Sequence, residues 1–134
     1  MRAFLERHDL PRDTTVFINV DQVGSGTVRY TRREGALVTL RTHPQLRTLC
    51  EGIDDDATAI VARSASDASA ATGAGFAALT VTCRDRLDYA SGRVDEAALE
   101  RAEAFVVELI ERLDAEVGPS IVAPVEATAL SEPD

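Results

Sequence analysis

The chain of 134 residues contains no lysine. All fourteen of its basic residues are arginine, set against 23 acidic ones, for a net charge of −9. With that balance and no basic cluster, it would meet phosphate with its own negative field, which argues against nucleic acid and anionic lipid as partners. No apolar run approaches the ~20 residues that span a bilayer. The amino-terminal MRAFLERHDL lacks the apolar stretch of a secretory leader, so a cytoplasmic protein is expected. Cysteine is scarce: Cys50 and Cys83 are not spaced as a CxxC redox or zinc motif, and their apolar neighbours predict two free, buried thiols. Histidine is equally scarce, with His8 on a terminal helix and His43 at a helix start, where surface and capping roles are expected. Gly24-Ser25-Gly26 is too short for a dinucleotide or phosphate loop and no glycine-lysine pair follows it. No GxSxG elbow offers a serine nucleophile.

What the sequence does contain is enough for one core. The apolar fraction of 45% is ordinary for a globular domain, and a chain of this length closes a core without a metal or disulfide staple. The expected division is a domain over residues 1–117 and an exposed tail over 118–134 that carries Pro119, Pro124 and Pro133. A short helix over residues 2–9 is stopped by Pro11. Residues 14–20 (TTVFINV) read as a strand buried on both faces. Residues 27–33 and 36–41 alternate with polar positions, which predicts an edge hairpin or small ribbon turning at Glu34-Gly35. Pro44 fits the first turn of a helix capped by Thr42 or His43, with Leu46, Leu49, Cys50 and Ile53 along one face. A strand over 58–62, a small-residue helix opened by Ser66-Asp67 and a strand over 76–83 read as a parallel strand–helix–strand unit. The last helix begins at Asp95 and runs to about residue 116. Its apolar stripe is Leu99, Ala102, Phe105, Val106, Leu109, Ile110 and Leu113.

Oxygen-bearing side chains follow three of these strands. Asp21 comes directly after the first, Ser64, Ser66 and Asp67 after the second, and Asp85 and Asp88 after the third. If the strands are parallel neighbours, Asp21, Asp67 and Asp85 share one rim, where ligands of open α/β sheets gather. Clustered carboxylates repel one another, so such a rim binds a cation or holds a proton. Aspartate is also the ordinary residue of turns and helix caps, and the spacing alone leaves both readings open.

The segment Phe17-Ile18-Asn19-Val20-Asp21-Gln22-Val23-Gly24 resembles the strand and turn of the co-catalytic zinc aminopeptidases, the family that also holds glutamate carboxypeptidases and glutaminyl cyclases. Ser66-Asp67, the glycine near residue 75 and the strand after it are similar to the family's next segment. Arg93-Val94-Asp95 with Leu99 resembles the entry to its last helix. The colinear match runs from about Arg2 to Asp114 and covers the C-terminal half of a family domain. It implies a zinc-exopeptidase-like α/β fold, layered helix–sheet–helix, mostly parallel with a small antiparallel ribbon. It also implies peptide hydrolysis at two zinc ions, with Asp21 as a ligand of one. The family's first histidine, bridging aspartate and Glu-Glu pair would lie upstream of Met1, and its final histidine is replaced by Asp85 or by the Tyr89-Ala90-Ser91 region. The resulting expectation is the C-terminal part of a zinc-dependent aminopeptidase, inactive as an isolated chain. Its partner would be a complementary N-terminal half chain or further copies in a homo-oligomer. The alternative is a non-catalytic, self-associating interaction module with a degenerate peptidase fold.

Overall fold

A computed structural model describes residues 1–83 and 94–117. A five-stranded mixed sheet lies between two helical layers. Its strands are β1 (Val16–Asp21), β2 (Arg29–Glu34), β3 (Leu40–Arg41), β4 (Thr58–Ala62) and β5 (Ala77–Thr82), and the helices are α1 (Arg2–Arg7), α2 (Pro44–Cys50), α3 (Asp67–Gly73) and α4 (Glu96–Arg112). A π-type turn over Leu113–Val117 follows α4.

Two parallel pairs make the frame. β1 runs alongside β5 in the register Val16↔Ala77 to Asp21↔Thr82, and β2 alongside β4. The pairs join antiparallel through Arg29↔Thr82 and Tyr30↔Val81. The sheet is therefore more evenly mixed than the expected mostly parallel one. β4 and β5 are not a parallel unit: β2 stands between them and they run in opposite directions. The loop before α3 is short, but nothing in its composition forces the strands it joins to be neighbours. Residues 27–41 do form the expected antiparallel hairpin, β2 with β3, but not as a ribbon at the sheet's edge. β2 is central, pairing with β3, β4 and β5, and its alternating arginines and threonines are largely buried or half-buried. β1, expected to be covered on both faces, is an edge strand that is half-buried along Val16–Asn19 and exposed at Val20 and Asp21.

Strand alternation divides the interior. Ala77, Leu79 and Val81 face α2 and α4 and join Val28, Tyr30, Leu46, Leu49, Phe105 and Leu109 in the larger core. Phe105 lies parallel to the Tyr30 ring at 5.9 Å between centroids. Each such large side chain, fully removed from water, contributes about 1.5–3 kcal/mol. Ala78 faces the other way, into a smaller cluster with Ala68, Ala71 and Phe76, flanked by Leu5, Leu10 and Phe17. The alanines of α3 let its axis sit close to the sheet.

Local signals explain the helix starts. Pro44 occupies the first turn of α2, and His43 Nδ1 accepts from the Gln45 N–H at 3.2 Å. Ser66 caps α3 through a reciprocal box with Ser69, and Asp95 caps α4 by accepting from the Ala97 N–H. On α4 the buried stripe is Ala98, Ala102, Phe105 and Leu109; Leu99 and Ile110, expected in it, are partly exposed. Leu99 instead covers Gly24, whose φ of +117° suits glycine and whose missing Cβ leaves room for that contact. Gly35 is more constrained still: at φ +154° an added Cβ would collide with the Val38 carbonyl oxygen. Both cysteines are free and buried, and burial pushes the Cys50 thiol up to about 12. Among the described residues, no helix is long and apolar enough to cross a membrane.

Candidate functional site

The polar centre of the molecule lies on the α3 side of the sheet, where the apolar alternation of three strands is interrupted at the same level. β1 contributes Asn19 in register with Thr80 of β5, and β2 contributes Thr31 and Glu34. At Thr31 the β2–β4 register shifts, and the β2–β5 ladder has just ended at Tyr30↔Val81. Thr31 Oγ1 then takes the place of a ladder carbonyl and accepts from the Thr80 N–H at 2.9 Å. Its own carbonyl accepts from Thr42 Oγ1 at 2.6 Å, tying in the start of α2.

Glu34 is only 6% exposed, and its carboxyl group is the focus of these hydroxyls. Thr80 Oγ1 lies 3.0 and 2.9 Å from its two oxygens, Thr31 Oγ1 lies 3.5 Å from Oε2, and the Ser66 hydroxyl also bonds to it. Asn19 Nδ2 donates to Thr80 Oγ1 at 3.1 Å, and Ser66 Oγ stands 3.5 Å from the same atom. Burial raises the Glu34 pKa above 4.5. The hydrogen bonds from Ser66, Thr80 and Thr31 oppose the shift, and the negative charge of Asp21 adds to it. Among the described residues, none of its hydrogen-bond partners carries a positive charge. An acid in this setting holds a proton more readily than a surface glutamate, and its closure from solvent keeps bulky substrates away. The arrangement is suited to joining β1, β2, β5 and α3, as a satisfied buried polar network does.

The rim residues singled out by the sequence are dispersed. Asp21 is exposed at the carboxyl end of β1, beside Thr82 and within electrostatic reach of Glu34. It is followed by a turn in which Gln22 adopts a left-handed φ of 52°. The Asp95 N–H at the start of α4 donates to the Gly24 carbonyl in that turn at 2.7 Å. β4 runs opposite to β1 and β5 and so finishes at the other end of the sheet, which removes the premise of one shared rim. The chain then climbs back so that Ser66 meets Thr80. Asp67, however, has a side chain 63% exposed that pairs with the Met1 amino group at 3.4 Å. Ser64 is exposed, and Asp85 and Asp88 lie outside the described residues, as does the Tyr89-Ala90-Ser91 region.

A zinc site needs three or four N, S or O ligands converging at about 2.0–2.3 Å. Among the described residues, no group of three His, Cys, Asp or Glu side chains is placed to hold a metal ion. Asp21 alone does not make such a donor set, and the described residues do not fit zinc. His43 Nδ1 is engaged in capping, and His8 lies against the Phe4 ring with centroids 4.4 Å apart.

Glu34, Thr31 and Thr80 were missed by sequence reasoning. The usable signal was parity: Asn19 in FINVD and Thr80 in ALTVT are the internal polar residues of two strands that are otherwise apolar up to their last residue. In comparisons with protein-family models, with curated proteins and with solved structures, the chain gives no match.

Proposed function

We propose that this chain is a partial domain of the zinc-aminopeptidase type that hydrolyses no peptide by itself. The observation that carries the reading is Asp21: an exposed carboxylate at the carboxyl end of a strand, in the sequence setting of a family metal ligand, without a convergent donor set among the described residues. In such a family a complete centre supplies a polarised carbonyl and an activated water. A lone carboxylate supplies neither.

Elemental analysis of the untagged chain, together with an assay on aminoacyl amides, tests this. Expected are zinc well below one ion per chain, no turnover, and an Asp21→Ala variant with the same melting temperature with and without added zinc. Stoichiometric zinc and turnover, both lost in Asp21→Ala, would overturn the proposal.

A second reading, the self-associating module, is favoured by the open side of β1. Among the described residues, this strand hydrogen-bonds as a ladder only to β5. An unpaired strand edge is a template for another chain.

A further inference from the structure

We infer that the groove between α1 and α3 binds a small organic monocarboxylate, its oxygens on the Arg12 guanidinium and its hydrocarbon body against Leu5, Ala70 and Ala74. The groove measures about 480 Å³, within the size range of small-molecule sites. None of its lining residues is one that the partial-peptidase reading uses.

Arg12 is exposed, yet three successive residues hold it in place. Its Nε donates at 2.8 Å to the carbonyl of Ala74, the residue that ends α3. Its Nε and Cδ cross Gly75, at φ +90°, where an added Cβ would stand only 3.2 and 3.3 Å from them. The guanidinium carbon lies 5.1 Å from the centre of the Phe76 ring, a cation–π contact. Serving the carbonyl end of α3 takes one N–H of the five that an arginine offers. Among the described residues, the two terminal nitrogens have no hydrogen-bond partner. That remaining fork is the shape that grips both oxygens of a carboxylate. The stacking and the Nε bond have already removed rotamer freedom that a loose arginine would lose on binding.

The charges around the groove select the ligand. Arg2 and Glu6 line it together with Arg12, two positive charges against one negative, and among the described residues neither arginine is in an ion pair. This balance suits a monoanion, whereas a dianion such as phosphate would also meet Glu6. Leu5, Ala70 and Ala74 offer hydrocarbon to the rest of the ligand. The net charge of −9 acts from farther away and is screened beyond ~8 Å at physiological ionic strength, while the fork acts at hydrogen-bond distance.

Benzoate titrated into the isotope-labelled full chain and followed by NMR tests the site, with benzamide as the uncharged counterpart and inorganic phosphate as the dianion. Expected is a saturable shift of the Arg12 Nε–H and of the Ala70, Gly73 and Ala74 amides, with a Kd of ~1–10 mM for so small a ligand. Benzamide and phosphate should leave these signals in place. Arg12→Lys, which keeps the charge and loses the fork, should weaken benzoate at least ~10-fold, and Arg2→Gln about 2–5-fold. Should Arg12→Lys not fold, the Nε–H shift in the parent decides the same point. No saturable shift with benzoate, equal binding of benzamide, or shifts scattered over arginines elsewhere in the chain would overturn the inference. Phosphate binding more tightly than benzoate overturns the ligand class, and benzoate binding unchanged in a folded Arg12→Lys overturns the role of Arg12.

Discussion

The two faces of the sheet are built on different principles. Against α2 and α4 lies a continuous apolar core with one stacked aromatic pair, Tyr30 and Phe105. Against α1 and α3 the apolar cluster is small, and the rest of the face is held by a buried carboxyl and the hydroxyls around it. The first face gains stability from removing hydrocarbon from water, a term indifferent to direction. The second gains it from geometry, because every donor and acceptor must find its mate. The second also fixes which strand sits where: Thr31 hands β2 over from β5 to β3 at the point where the network forms.

Substitutions on the two faces should separate these contributions. The largest loss is expected for Phe105→Ala, which empties a fully buried ring site on the apolar face; chemical denaturation should show a drop of ~3–5 kcal/mol. Next is Glu34→Ala on the polar face. It strands the Thr31, Thr80 and Ser66 hydroxyls without their acceptor and should cost ~1–3 kcal/mol. Ser66→Ala removes the α3 cap along with one bond to Glu34 and is expected to cost ~1 kcal/mol.

The smallest effect at neutral pH, and the most diagnostic, concerns the proton on Glu34. Its pKa is raised on folding, chiefly by burial, so the folded chain binds a proton there more tightly than the unfolded chain. The stability this provides is fully present below the unfolded value near 4.5 and is lost as pH rises through the folded value. In Glu34→Gln that component should vanish, so the stability difference between variant and parent changes across this window and is flat below it. Phe105→Ala should shift the curve without changing its shape. Melting temperatures from pH 4 to 7 check both statements.

Much of the architecture was legible because it rests on local chemistry. His43 and Ser66 cap where their positions before Pro44 and Asp67 said they would, and the spacing of Leu46, Leu49 and Cys50 marks the buried side of α2. The order of strands was not legible. The alternation in RYTRRE has the look of a surface ribbon, yet Arg33 is buried, donating to Thr39 Oγ1 and to the Thr39 carbonyl within its own hairpin. Thr31 and Glu34 are buried because Thr80, 49 and 46 residues away respectively, satisfies them. Such long-range compensation leaves no local trace. Asp21 stood out because it ends an apolar run. Glu34 did not, because it sits among arginines that look equally solvated.

The proximity of Asp21 to Glu34 has a thermodynamic corollary. Burial is the main cause of the raised Glu34 pKa and the charge on Asp21 adds to it; that added part is reciprocal, so whatever neutralises Asp21 lowers the proton affinity of Glu34 by the same free energy. A cation settling at the end of β1, or a cationic side chain of another molecule lying across it, would therefore move the titration of the interior carboxyl toward lower pH. The Glu34 carboxyl stretch in the infrared would register an event at the surface that the buried group never touches.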